Sequence, residues 1–230
     1  MGNCNCLDSH PDTPEALLSA ATNSDSPASI AYKLYEKTML PELKHIYTQF
    51  LLRKSETILI LDIRDKELGD GGAELISKIL PELTNLAELV LINNQLGISG
   101  VSKISDNTAN LTKLERLIIT NNHIKDEGFE YLSQTMPYMK NLREINISYN
   151  DLTPIGLDHL LEPLNTLEKV ETLNISGNEI NKKCLRKIAL ALQNMSTIKF
   201  FKFDEGNMKS SDIGEIKEML PRVFRKDTSN

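Results

Sequence analysis

Cysteine is scarce in this 230-residue chain: Cys4, Cys6 and Cys184 form an odd set with no framework spacing, which argues against a disulfide scaffold and fits a reducing compartment. Long apolar runs are also lacking, and none approaches the ~20 residues that a membrane span requires. The first residues have neither a basic start nor an apolar stretch, so no secretory signal is expected. The sequons at Asn110, Asn146, Asn174 and Asn194 are accordingly read as accidental. A cationic excess is missing too. The chain has 26 Lys and Arg against 32 Asp and Glu, and the cations are dispersed, which excludes the concentrated basic surface a nucleic acid would need. The expectation is an acidic cytoplasmic protein, and its 40% apolar content is enough for a core.

What is abundant is repetition. Ile58, Leu86, Leu114, Leu142, Val170 and Ile198 lie 28 residues apart at every step, with no insertion or deletion. Each is followed by an alternating apolar pair: Leu61 and Ile63, Leu89 and Leu91, Leu117 and Ile119, Ile145 and Ile147, Leu173 and Ile175, Phe201 and Phe203. That period of two predicts a short strand, starting near Leu59, Ala87, Glu115, Arg143, Glu171 and Lys199. An amide column follows at Asn94, Asn122, Asn150 and Asn178, with Lys66 and Gly206 in its place at the two ends. A glycine at Gly72, Gly100, Gly128 and Gly156 is read as closing the turn. Helical spacing then takes over, as in Leu157, Leu160, Leu161 and Leu164. Stacked asparagines can satisfy turn backbone groups that the strand ladder cannot reach.

The segments LAELVLINNQLGISG, LERLIITNNHIKDEG and LREINISYNDLTPIG resemble the leucine-rich repeat, and the 28-residue period resembles its ribonuclease-inhibitor-like class. The resemblance covers roughly three-quarters of the chain. It implies an α/β fold: a right-handed solenoid with a parallel sheet on the concave face, helices on the convex face and a helical N-terminal cap. The expected organisation is a disordered leader over 1–28, a helical cap over 29–57, six repeats with a closing helix over 58–225, and a tail over 226–230. In the cap, Pro41 to Lys54 reads as an amphipathic helix with Leu43, Ile46, Tyr47, Phe50 and Leu51 on one side, and Ser29 to Met39 as a shorter one. Ile213, Ile216, Met219, Leu220, Val223 and Phe224 read as the closing helix.

Nothing in the sequence assembles an active site or a cofactor site. His10, His45, His123 and His159 fall in unrelated places, and Ser148 and Ser176 recur with the repeat as solvated strand residues that lack a base. Gly69, Gly71 and Gly72 are not followed by a lysine and hydroxyl residue at phosphate-loop spacing, and Cys184 holds the phase of the repeat glycines as a small filler. Cys4 and Cys6 are too few to make a metal site. No small-molecule substrate is indicated. The expectation is instead a non-enzymatic interaction scaffold that binds another protein on the concave face. Its partner-binding candidates are Ile60, Asp62, Glu88, Val90, Ile92, Arg116, Ile118 and Glu144, with Ile60, Val90, Ile92 and Ile118 forming an exposed aliphatic cluster inside a polar rim. Resemblance to repeat-containing activators of small GTPases offers a second reading, although the basic end at Arg222, Arg225 and Lys226 departs from their acidic tail. Resemblance to tropomodulin-like actin-capping proteins offers a third, although their amphipathic segments are not evident over 1–28. The start Met1-Gly2-Asn3-Cys4-Asn5-Cys6 resembles an N-myristoylation signal at Gly2 with palmitoylation sites at Cys4 and Cys6, implying a tether to the cytoplasmic face of a membrane.

Overall fold

The computed structural model describes residues 32, 35, 37, 39–51, 58–206 and 208–224. Six parallel strands form one sheet in chain order: β1 (Ile60–Arg64), β2 (Glu88–Ile92), β3 (Arg116–Ile118), β4 (Glu144–Asn146), β5 (Thr172–Asn174) and β6 (Phe200–Lys202). Every cross-strand partner is 28 residues away, as in Leu61 opposite Leu89 and Leu117 opposite Ile145. The sheet therefore reproduces the sequence period without a slip. Each strand begins one residue later than the alternation predicts. The carbonyl of the preceding residue accepts two N–H groups from the next unit, as Leu59 does from Ala87 and Glu88, and regular pairing starts only after that fork.

One face of the sheet is packed and the other is open. Leu61 and Ile63 are buried while Ile60, Asp62 and Arg64 are exposed, so the pleat assigns the alternating apolar residues to the core. Helices cover that inner face: α1 (Pro41–Leu51), α2 (Gly69–Ile79), α3 (Ile98–Ser105), α4 (Lys125–Thr135), α5 (Pro154–Asp158), α6 (Leu161–Thr166), α7 (Lys182–Gln193) and α8 (Ser210–Met219). The fourth unit's helix is split in two. Pro163 has no N–H to donate to the carbonyl of His159 and its ring crowds that turn, so the apolar run from Leu157 to Leu164 is interrupted at His159 and Leu160. Leu157, Leu160 and Leu164 are buried nonetheless.

The amide column is a continuous ladder. Asn122 Oδ1 accepts the backbone N–H groups of Asn94 and Leu96 at 3.0 and 3.1 Å, and its Nδ2 donates to the carbonyls of Leu91 and Thr120 at 2.7 and 3.1 Å. Asn178 does the same one step beyond Asn150, accepting from Asn150 and Leu152. At the first unit Lys66 stands in the asparagine position, and its N–H donates to Asn94 Oδ1 as the ladder asparagines' own N–H groups donate to the next one. The residue before each ladder position is in the left-handed region at Asp65, Asn93, Asn121, Tyr149 and Gly177.

The repeat glycines do not close the turn. Gly72, Gly100, Gly128 and Gly156 lie inside the helices, and none has a positive φ. At Gly100, Gly128 and Gly156 their role is close approach between helices: a Cβ on Gly100 would stand 3.0 Å from Ala73 Cβ and 3.2 Å from Asp70 Cα, whereas one on Gly72 would meet only Leu68. Cys184 holds the same phase on α7 and is buried, and burial pushes its thiol up to about 11. Gly71 and Gly72 are likewise helical, while Gly69 is left-handed at the start of α2.

The described part of the cap helix packs Leu43, Ile46 and Tyr47 against the first unit, and the Tyr47 hydroxyl donates to the Leu75 carbonyl at 2.6 Å. α1 ends at Leu51, and the residues through Lys54 lie outside the described set, as do most of 29–39, the leader and the tail. The closing helix stops at Met219, before the expected Phe224. Pro221 biases Leu220 out of the helical region, and Leu220 has φ −121° and ψ 58°. The chain then turns so that Phe224 meets Phe203 edge-on at 6.2 Å across the end of the core.

Candidate functional site

The open face of the sheet carries three columns set by the pleat. The first reads Ile60, Glu88, Arg116, Glu144, Thr172 and Phe200, and the second Asp62, Val90, Ile118, Asn146, Asn174 and Lys202. The third starts with Arg64 opposite Ile92 and continues in phase through Thr120, Ser148, Ser176 and Asp204. All of the proposed partner-binding residues fall on this face, so the pleat brings them together.

An ion ladder crosses the middle strands. Arg116 donates to Glu88 Oε2 at 2.7 Å and to Glu144 Oε2 at 2.8 Å, and both carboxylates hold its guanidinium above its usual pKa, Glu144 being the stronger influence. A second row lies one residue upstream, where Arg143 pairs with Glu171 and Lys199 pairs with the same carboxylate. Lys199 and Arg143 hold the Glu171 carboxyl below its ordinary range. Arg64 clamps Asp62 through two hydrogen bonds of 2.7 and 2.8 Å.

The expected exposed aliphatic cluster is corrected by the structure. Val90 is 0% exposed and Ile118 is 5% exposed, Ile92 is partly buried, and only Ile60, at 54%, faces solvent. The register explains the difference. Val90 lies between Asp62 and Ile118 across the strands and beside Glu88 and Ile92 on its own strand, and the ion pairs hold the long side chains of Arg116, Glu88 and Arg64 against the sheet. Long charged side chains paired in this way bury their aliphatic stems on neighbouring apolar surface, which accounts for the low exposure of the two β-branched residues. Ser148, expected to be solvated, is buried as well, with its hydroxyl on Asn146 Oδ1 at 2.7 Å and Thr120 Oγ1 at 3.4 Å.

Carboxylates that link neighbouring helices were not anticipated. Asp70 on α2 accepts the N–H groups of Gly97 and Gly100 at 3.0 and 2.9 Å, capping α3 from the unit before it. Asp126 on α4 accepts the N–H and the hydroxyl of Thr153, whose side chain in turn accepts the Ile155 N–H and caps α5. The two sit two repeat periods apart, and that spacing was visible in the sequence. Glu74 bridges Lys103 and Lys78, which lower its carboxyl to about 2 from an ordinary 4.5, Lys103 being the larger cause.

Candidate chemistry elsewhere does not converge. His123 Nδ1 meets Asp151 Oδ2 at 2.8 Å in an exposed turn, while His45 lies on α1 and His159 in the break between α5 and α6. Among the described residues, no three His, Cys, Asp or Glu side chains group as a metal site. No helix among them is long and apolar enough to cross a membrane.

The leucine-rich repeat family profile matches residues 110–133 and 138–161. No curated protein matches the chain. Solved structures of similar fold include the following two. The tropomodulin C-terminal domain of Caenorhabditis elegans is 18% identical at a TM-score of 0.57, over 66% of this chain and 93% of that one. Leiomodin-1 actin-binding site 2 is 14% identical at a TM-score of 0.53, over 67% of this chain and 88% of that one. The array is a leucine-rich repeat solenoid, and a protein-interaction role fits that fold.

Proposed function

We propose that this protein is a non-enzymatic scaffold or adaptor that binds a partner protein on the open, concave face of its sheet. The observation that carries this reading is the face itself. No helix among the described residues covers it, its polar side chains are prearranged in the Glu88–Arg116–Glu144 ladder, and large apolar groups are exposed at both ends, Ile60 at 54% and Phe200 at 59%. A buried apolar anchor with a polar rim is the usual composition of an interface. Ile60→Asp combined with Arg116→Gln changes only side chains that solvent already reaches, and should lower partner capture about tenfold with little change in melting. Undiminished capture by the folded double variant would move the interface to the helices.

Actin is the first purified partner to assay, since one structure of similar fold is an actin-binding site of leiomodin-1. Filament co-sedimentation with the wild type and the double variant separates that reading from a different partner. A GTPase-regulating role is separable by a turnover assay with small GTPases. Acylation at Gly2, Cys4 and Cys6 would hold the scaffold on the cytoplasmic face of a membrane, because one myristoyl chain alone binds only marginally and no Lys or Arg precedes Lys33. Wild type should then fractionate with membranes and Gly2→Ala should be soluble; equal partitioning of the two rejects the tether.

A further inference from the structure

Charge is distributed unevenly along the sequence. Residues 181–230 hold 11 Lys and Arg against 6 Asp and Glu, while residues 1–180 hold 15 against 26. The open face at the C-terminal end also differs in kind from the ion ladder before it. Asn146 on β4, Asn174 on β5 and Lys202 on β6 are consecutive cross-strand partners and form one straight row.

The direction in which this row points is fixed by chemistry. The Ser148 N–H donates to the Asn146 side chain at 3.2 Å, and the Ser176 N–H donates to the Asn174 side chain at 3.1 Å. A backbone N–H can only donate, so both amide oxygens are turned inward along their own strands and both NH₂ groups are left over. Among the described residues those two NH₂ groups and the Lys202 ammonium have no hydrogen-bond or ion-pair partner. The acids nearby are otherwise engaged: Glu144 with Arg116, Glu171 with Lys199 and Arg143, and Asp204, two residues along from Lys202, as acceptor for the Gly177 N–H. The result is three N–H donors in line, ending in an uncompensated cation. Exposed Phe200 flanks the row on the upstream side, and Tyr149, 55% exposed at φ 56° over Gly177, flanks it on the other.

We propose that this row is a docking site for an acidic α-helical segment of a partner protein, lying across β4, β5 and β6; the proposal rests on the concave-face reading above and specifies its chemistry. Spacing selects a helix. Adjacent strands are about 4.8 Å apart, and carboxylates three or four residues apart on a helix rise by about 4.5–6 Å, so one acidic side chain can meet each donor. Same-side residues of an extended peptide are about 6.7 Å apart and lose step by the third strand. Charge complementarity selects acidic over basic, and Phe200 and Tyr149 supply apolar walls for the neighbouring helix positions.

The test uses the full chain and two fluorescein-labelled 15-residue helical peptides, one with Glu at positions i, i+4 and i+7 and a Leu beside them, the other with Lys replacing each Glu. Fluorescence anisotropy at low salt should show binding of the Glu peptide and not of the Lys peptide. Lys202→Glu should weaken the Glu peptide by about tenfold or more, the effect of one close charge pair. Lys202→Met, which removes the charge with a similar stem, should weaken it less, and Asn174→Asp should act like Lys202→Glu. Circular dichroism melts check that each variant is folded. Failure of the Glu peptide to bind the wild type, equal binding of the Lys peptide, or a Lys202→Glu affinity within about twofold of wild type overturns the proposal. Capture of a partner that survives Lys202→Glu but is lost in the Ile60→Asp, Arg116→Gln variant overturns this site alone and leaves the concave-face reading standing.

Discussion

Asn122→Ala should destabilise the protein by about 3 kcal/mol, one of the two largest losses expected from a single substitution here. The side chain serves four backbone groups in two adjacent turns: the N–H groups of Asn94 and Leu96 and the carbonyls of Leu91 and Thr120. Alanine leaves the space of the carboxamide empty and pairs none of them, and each buried polar group left alone costs about 1–3 kcal/mol, partly recovered by relaxation or water entry. Denaturant titration read by circular dichroism measures the loss. Asn110→Ala is the matched control, because Asn110 is exposed and its side chain makes no hydrogen bond among the described residues. Asn181 would mislead as a control. It too is exposed, but its side chain accepts the Cys184 N–H and caps α7, so removing it costs about 1 kcal/mol by another route. Equal effects at Asn122 and Asn110 would reject the ladder.

The ladder was legible in the sequence because it obeys the same arithmetic as the strands. A 28-residue period with no insertion fixes which residues stack, and a buried amide column has few uses other than satisfying turns. What the period could not reveal is anything that depends on contact between side chains of different units. Gly100 and Gly156 look like turn glycines, since they follow a turn. Only the distance from the preceding helix shows that they are there because Asp70, Ala73 and Asp126 come so near. The interruption of the fourth helix was readable from Pro163 alone, and the leucine spacing concealed it. The early stop of α8 was readable from Pro221 in the same way.

The candidate face was half legible. Period-two alternation correctly assigned Ile60, Asp62, Val90 and Ile118 to the side away from the helices, but a position on a face is not a degree of exposure. Accessibility there depends on whether long neighbours lie down or stand up, which is decided by pairing between units such as Arg116 with Glu88 and Glu144. The donor row at Asn146, Asn174 and Lys202 was equally hidden. Asparagine on a strand suggests general hydrogen bonding, and only the Ser148 and Ser176 N–H groups show which end of each amide is already occupied.

Val90→Asp should therefore destabilise the protein by roughly 3–5 kcal/mol, although its position on the open face suggests a harmless change. The valine is 0% exposed, and an aspartate there would either bury a charge beside the Arg116–Glu88 pair or displace the side chains around it. Glu88 on the same strand and Asp62 on the next are both acidic, so the new carboxylate adds repulsion to its desolvation. Arg116 is already shared by two carboxylates and offers little compensation. For a chain of this length the loss corresponds to a melting point lower by roughly 10 °C. Ile60→Asp, on the same face but half exposed, should stay within about 0.5 kcal/mol of wild type. The contrast between these two variants tests the covering layer directly, without any partner. If Val90→Asp melts with Ile60→Asp, the ion ladder does not shield the sheet, and Val90 and Ile118 return as exposed contacts for a partner. If it melts far below, a partner meets the charged side chains of Arg116, Glu88 and Glu144 first, and recognition across β2 to β4 is electrostatic before it is apolar.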